Sequence, residues 1–118
     1  MAIFLVILYT FFMENLFQRK SGVLLHPTSL PNTRGVGTLG KEAYKFIDWL
    51  EKSGQQLWQI LPLGPTSYGD SPYASVSSFA GNPYLIDLDW LVENNLLQPQ
   101  DIDFSKDSLS YDKVDYEW

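Results

Sequence analysis

The first stretch of the chain whose pattern predicts an element is Gly22-Val23-Leu24-Leu25-His26, a short apolar run closed by Pro27. Such a run predicts a buried strand that ends in a loop. Turn residues then follow one another through Pro31, Asn32, Gly35, Gly37 and Gly40, so no regular element is expected before Lys41. From there the spacing changes. Ala43, Phe46, Ile47 and Leu50 fall at i, i+3, i+4 and i+7, one apolar stripe of a helix, while Lys41, Glu42, Lys45, Asp48 and Lys52 make a solvated face. Gly54 is the expected stop, because glycine accepts the left-handed conformation beyond a helix end. Leu57-Trp58-Gln59-Ile60-Leu61-Pro62-Leu63 is apolar at both alternations, as a strand covered on both sides is, with Pro62 near its end.

Strand, loop, helix and strand over this distance form a βαβ unit with parallel strands, which occurs in barrels and in doubly wound sheets alike. The second strand leads into a long loop dense in turn residues, Gly64-Pro65-Thr66-Ser67-Tyr68-Gly69-Asp70-Ser71-Pro72-Tyr73, continuing through serines to Phe79-Ala80-Gly81-Asn82-Pro83. Parallel α/β folds place ligands at the C-terminal ends of their strands, which makes this loop the functional candidate. Residues 84–88 predict a short extended piece, and Asp89 an N-cap for a short helix through Leu91, Val92 and Leu96. Beyond Pro99 the chain is polar and acidic, with Asp101, Asp103 and Asp107, and carries no terminating signal. No internal repeat is visible.

At 118 residues, 45% hydrophobic, the chain can build one modest core and no second independent domain. Its net charge of -6 and its unclustered Lys and Arg argue against nucleic acid as a partner. With no cysteine there is no disulfide or thiolate metal site, and the single histidine, His26, makes no His-rich metal centre by itself. A reducing, cytoplasmic location fits. The apolar opening, residues 1–12, meets Glu14 well short of the ~20 apolar residues a membrane span needs. Nor does it show the basic start and small-residue cleavage site of a secretory signal. It is expected to be an extension upstream of the true start at Met13. A strand, or an anchor of a small membrane-associated protein, are the alternatives.

Tyr68, Asp70, Ser71 and Tyr73 are the parts from which a sugar site is built. Aromatic rings offer an apolar face to the C–H side of a pyranose, and short polar or carboxylate side chains bond its hydroxyls. The same residues are also ordinary turn formers. Glycoside chemistry uses two facing carboxylates, about 5 to 5.5 Å apart in retaining enzymes, and Asp70 is the one carboxylate in this loop. Asp87 and Asp89 straddle a predicted helix start, where caps are the ordinary reading. His26, at the end of the first strand, either faces a ligand or is a satisfied structural histidine. Ser71 and Ser75 lack a G-x-S-x-G setting, and Gly35, Gly37 and Gly40 lack the spacing of a phosphate loop.

In order, Ser21-Gly22-Val23-Leu24-Leu25-His26-Pro27-Thr28-Ser29-Leu30-Pro31, then Leu57 to Thr66, then Tyr68-Gly69-Asp70-Ser71-Pro72-Tyr73, and Ser77-Ser78-Phe79-Ala80-Gly81-Asn82-Pro83 strongly resemble the start of the amylomaltase, or disproportionating enzyme, family of 4-α-glucanotransferases. The resemblance covers roughly residues 19–97, and Val114-Asp115-Tyr116 also looks like family sequence. It implies a (β/α)₈ TIM barrel with inserted segments and a retaining transfer of α-1,4-glucan through a covalent glucosyl-enzyme. A barrel needs about 250 residues, so residues 13–118 are expected to be its first part, incomplete in this chain. The family's three catalytic carboxylates lie later, and none can be placed on these residues. What carries over is the loop. Tyr73 matches the tyrosine that packs against the sugar at the cleavage point, Ser71 a polar contact in the donor subsites, and Tyr68 a tyrosine of a second glucan-binding groove. Asp70 fits the motif as a residue that shapes the loop. Ala74 and Val76 stand where glutamine and phenylalanine are common, which puts contacts to more distant donor sugars in doubt. The implied partners are maltodextrin, starch- or glycogen-derived oligosaccharides and glucose, with no metal or organic cofactor, no nucleic acid and no membrane. A non-catalytic maltodextrin-binding fragment or an inactive gene remnant is the alternative.

Overall fold

The structure, a computed structural model, describes residues 19–32, 34–102 and 113–116. The 1–12 extension, the start at Met13, and Asp103 and Asp107 lie outside the described residues.

The βαβ unit is present. Strand β1 is Gly22–Leu24, helix α1 is Lys41–Lys52 and strand β2 is Leu57–Gln59; β1 and β2 pair in parallel with Gly22 opposite Leu57, Val23 opposite Trp58 and Leu24 opposite Gln59. Because the strands are parallel, both of their C-terminal ends, and the loops that leave them, lie on the same edge. A Cβ on Gly22 would lie 2.6 Å from the Cβ of Leu57, so the strands approach as closely as they do because residue 22 has no side chain.

Helix α1 forms where the 3.6-residue period places it. Gly40 precedes it, Glu42 lies in its first turn and Lys52 in its last, both favourable to the helix dipole. Gly54, at φ 70°, ends it, and the Ser53 hydroxyl donates to the Trp49 carbonyl at 2.7 Å. Ala43 and Leu50 are buried. Phe46 packs its ring edge-on against Trp58 of β2, centroids 5.0 Å apart, and stacks on Trp49. This aromatic contact seats the helix on the sheet. Ile47, the fourth member of the stripe, remains 48% exposed.

The strands depart from expectation in length and cover. Each is three residues long, with its two end residues exposed. Leu24, Leu57 and Ile60 are 55%, 49% and 41% exposed. One face rests on α1, and on the other Leu24 and Leu57 stay about half exposed.

A core forms instead beyond the strand ends, where Leu30, Val36, Leu85 and Ile102 are buried. The 3₁₀ turn Pro27–Ser29 packs against a second, Pro83–Leu85. That second turn occupies the place of the expected extended piece at 84–88, because Asn82 and Pro83 open it: the Asn82 Oδ1 accepts from the Tyr84 N–H at 3.0 Å. Helix α2, Leu88–Glu93, follows. Its N-cap is Asp87, whose Oδ1 accepts from the Trp90 N–H at 3.0 Å. Asp89 sits one residue inside the first turn and forms a two-bond ion pair with Arg34, both contacts 3.0 Å. Leu96 falls beyond the helix, after Asn95 turns left-handed at φ 58°.

Candidate functional site

The loop between β2 and α2 is built from its root outward. At the root stands His26, 8% exposed, just past β1. Its Nε2 lies 3.3 Å from the Pro62 carbonyl oxygen, and its Nδ1 lies 2.7 Å from the Thr28 hydroxyl and 3.4 Å from the Thr28 amide nitrogen. A carbonyl only accepts and an amide N–H only donates, so the proton sits on Nε2 and Nδ1 accepts. The Tyr116 hydroxyl, 3.3 Å from the Thr28 hydroxyl, extends the chain. His26 is thus the satisfied structural histidine of the two alternatives. Beside it the Trp58 indole donates to the Leu25 carbonyl at 2.7 Å, tying β2 to the end of β1.

Asn82 is the second peg. It is 7% exposed, and its Nδ2 donates to the Gly64 carbonyl at 3.2 Å, joining the loop's two ends across eighteen residues. Gly64 lies close under the loop: a Cβ there would fall 2.6 Å from the Ser75 hydroxyl, which would have to turn away, and 3.2 Å from the Ser77 carbonyl oxygen. Between the pegs the serines close local turns. The Ser67 hydroxyl donates to the Ala74 carbonyl, and the Ser75 hydroxyl to the Ser77 carbonyl at 2.7 Å. The Ser77 hydroxyl oxygen accepts from the amides of Phe79 and Ala80. Side-chain bonds of this kind stand in for a ladder that an irregular segment cannot form.

The four predicted residues sit together on one turn of this loop, under the link from Ser67 to Ala74. Tyr68 is 96% exposed and Tyr73 is 74% exposed. Ser71 receives the Tyr73 N–H on its hydroxyl at 3.3 Å, which leaves the hydroxyl proton free to donate. Gly69 and Asp70 are both left-handed, at φ 71° and 51°, and the Asp70 carboxyl is exposed. Aspartate tolerates that conformation better than most residues. Asp70 therefore has a conformational reason to stand there. Phe79 and Val76 extend the exposed apolar surface, at 100% and 74%.

The remaining carboxylates nearby are engaged elsewhere. Asp87 caps α2 and accepts from the Thr38 hydroxyl at 3.2 Å, and Asp89 holds Arg34. Among the described residues no group of three or more His, Asp or Glu side chains is placed to hold a metal ion. The loop presents aromatic faces and hydroxyls, which can bind a polyol; it presents no facing pair of acids. Of the two pegs, the sequence offers His26 with two alternatives and does not single out Asn82. Asn82-Pro83 carried a signal as a turn dipeptide, and His26 one as a polar residue closing a strand.

The family model described as 4-alpha-glucanotransferase matches residues 25–118. The chain belongs to that family. It is similar to the 4-alpha-glucanotransferase of Thermus thermophilus, 53% identical over 100 residues that make up 85% of this chain and 20% of that protein. It is 53% identical to the Streptococcus pneumoniae enzyme of that name over 84% of this chain and 21% of the relative. With the Clostridium butyricum 4-alpha-glucanotransferase the identity is 65%, over 65% of this chain and 16% of the relative. The chain therefore spans about a fifth of the length of the glucanotransferases it matches. Its mixed α/β fold is similar to that of an amylomaltase from Streptococcus agalactiae solved in complex with acarbose, with a TM-score of 0.69 and 52% identity over 76% of this chain and 19% of that one.

Proposed function

We propose that this chain contributes a substrate-binding loop to a 4-α-glucanotransferase, which moves a segment of α-1,4-glucan onto the 4-hydroxyl of an acceptor glucose or glucan. The observation that carries this reading is the pair of exposed rings, Tyr68 and Tyr73, on a stapled loop at the C-terminal edge of a parallel strand pair in a chain of this family. Tyr73 is assigned to the sugar at the cleavage point, Ser71 to a donor-side hydroxyl and Tyr68 to a second stretch of glucan. Asp70 is assigned to the shape of the turn.

In the reaction proposed, a carboxylate attacks the anomeric carbon while an acid protonates the leaving 4-oxygen; the acceptor's 4-hydroxyl then displaces the carboxylate with a second inversion, losing its proton to the conjugate base of that acid. Those acids are assigned to residues outside this chain, since the loop holds Asp70 alone. Residues 13–118 are read as the opening part of a (β/α)₈ barrel, with 1–12 as an extension before it. The uncovered strand faces fit that reading, because in a barrel further strands and helices close over them. No helix among the described residues is long and apolar enough to cross a membrane, and a cytoplasmic site of action is proposed.

The test is made on the protein from its native source, whose intact mass is measured first. A mass well above 13.5 kDa, with maltotriose converted to glucose and longer oligomers, supports the reading. A protein of that larger size that leaves maltotriose unchanged overturns it. The lack of facing carboxylates in the loop favours a second reading, a maltodextrin-binding fragment without transfer activity, which predicts a mass of 13.5 kDa and binding alone.

A further inference from the structure

We infer that His26 and Asn82 are positioning residues that fix the tyrosine loop in its binding geometry, each by one donated hydrogen bond to a backbone carbonyl at the loop's root. The inference rests on the role proposed for the loop. Four observations carry it.

The two carbonyls, Pro62 and Gly64, flank Leu63, beyond the end of β2 at Gln59 and at the start of the loop, so they set the direction in which the loop departs. His26 holds the first through Nε2 at 3.3 Å and Asn82 the second through Nδ2 at 3.2 Å. Both donor side chains are buried, at 8% and 7% exposed, so each is held by its surroundings, while the carbonyls they reach lie nearer the surface and the two bonds are part-buried. Both side chains also carry a second bond that fixes the donor's orientation. His26 Nδ1 faces Thr28, and the Asn82 Oδ1 accepts from the Tyr84 N–H at 3.0 Å. Each peg therefore acts as a two-ended bracket, with one end on its own turn and the other on the loop root. Finally, the loop has few other anchors among the described residues. Its internal bonds link serines to near neighbours, as from Ser67 to Ala74 and Ser75 to Ser77. They set the loop's shape but not its placement on the strand edge.

The two ends of each bracket can be cut separately. His26→Asn keeps an oxygen that can accept from Thr28, as a capping residue does, but has no atom that reaches Pro62. His26→Gln restores an amide donor at about the distance of Nε2. Asn82→Asp keeps the acceptor for Tyr84 and removes the donor to Gly64. Hydrogen–deuterium exchange is followed on the full-length protein, together with maltotriose disproportionation. His26→Asn and Asn82→Asp are expected to speed exchange of the amides in residues 67–74 selectively. The same variants are expected to raise KM about three- to tenfold, the worth of one hydrogen bond, with kcat less affected. His26→Gln is expected to keep exchange and KM close to those of the unsubstituted protein. Unchanged exchange in 67–74 overturns the inference. So does faster exchange spread equally over α1 and the strands, since that marks a general loss of stability. Wild-type protein that fails to transfer glucan, with the selective exchange pattern intact, sinks the functional reading and leaves the positioning role standing.

Discussion

A Cβ on Gly40 would fall 1.4 Å from Oδ2 of Asp87, so the carboxylate that caps α2 lies directly against the backbone that starts α1. The same Oδ2 accepts from the Thr38 hydroxyl at 3.2 Å, and one side chain thereby joins the loop before α1 to the start of α2. Gly40→Ala cannot be accommodated unless Asp87 moves and gives up these bonds. The substitution is expected to cost about 1 to 3 kcal/mol in chemical denaturation. Asp87→Ala, which removes the cap, is expected to cost about 1 kcal/mol. In the double variant the two costs should fall short of their sum, because Asp87→Ala removes the two nearer clashing atoms, Oδ2 and Cγ, and leaves its Cβ at 2.7 Å. Additive costs would mean that Gly40 is required for some other reason.

Arg34 and Asp89 make a bidentate pair, yet the Asp89 side chain is 62% exposed while that of Arg34 is 10% exposed. Water screens the carboxylate end, so Asp89→Asn is expected to cost no more than about 1 kcal/mol. The loss should shrink further in molar salt. Arg34→Ala should cost more, because a mostly buried stem and head leave the core around Val36. Equal losses in the two variants would show that the ion pair, not the packing, carries the stabilisation.

The faces of β1 and β2 that expose Leu24, Leu57 and Ile60 predict the behaviour of these 118 residues on their own. A two-stranded sheet with open edges and an uncovered apolar face is marginal in water. Expressed alone, the chain is expected to self-associate and to bind an apolar dye. A sharp, concentration-independent melt of a monomer would contradict this.

The sequence displays α1 openly because a single period, Ala43-Phe46-Ile47-Leu50, and a stop glycine agree with one another. The parallel pair follows from that helix standing between two apolar runs. Burial of the strands was not legible, since a doubly apolar run states what a strand seeks and not what is present to cover it. Leu24 and Leu57 show the difference. The helix cap was ambiguous at the level of composition: Asp87 and Asp89 are chemically identical, and only the reach from residue 87 to the Trp90 N–H decides between them. The Arg34 to Asp89 pair, spanning 55 positions, has no local signature at all. In the site, the loop and its tyrosines could be read from turn residues and a strand end. Its pegs could be read only in part: His26 was open between a ligand-facing and a structural role, and the carbonyls that it and Asn82 hold, 36 and 18 positions away, leave no local signature.

Tyr68 and Tyr73 offer the sharpest separation of binding from folding. Both are largely exposed, at 96% and 74%, so replacing either by Ala removes little buried area. Stability is expected to change by less than about 0.5 kcal/mol. Ring stacking on a pyranose is worth about 1 kcal/mol, so Tyr73→Ala in the full-length protein should lower kcat/KM for maltotriose by roughly fivefold. Tyr73→Phe, which keeps the ring, should lower it much less. A normal kcat/KM in Tyr73→Ala would remove this tyrosine from the site.

Asp70 can be assigned by a substitution that keeps its backbone role and deletes its charge. At φ 51°, following Gly69 at φ 71°, the position suits Asp, Asn or Gly and disfavours branched residues. If Asp70 shapes the turn, Asp70→Asn should retain transfer activity within a few-fold, with the acid limb of the pH profile unmoved. Asp70→Val, strained at the same φ, should then lose more activity than Asp70→Asn, and its loop should open to protease. A carboxylate that moved a proton in the reaction would behave in the opposite order. Asn would lower kcat by about 10² to 10⁴-fold, the worth of general acid–base catalysis, and would do so with the loop intact. The Asn variant alone therefore decides between the two roles, and the exposed, left-handed position of Asp70 predicts the first.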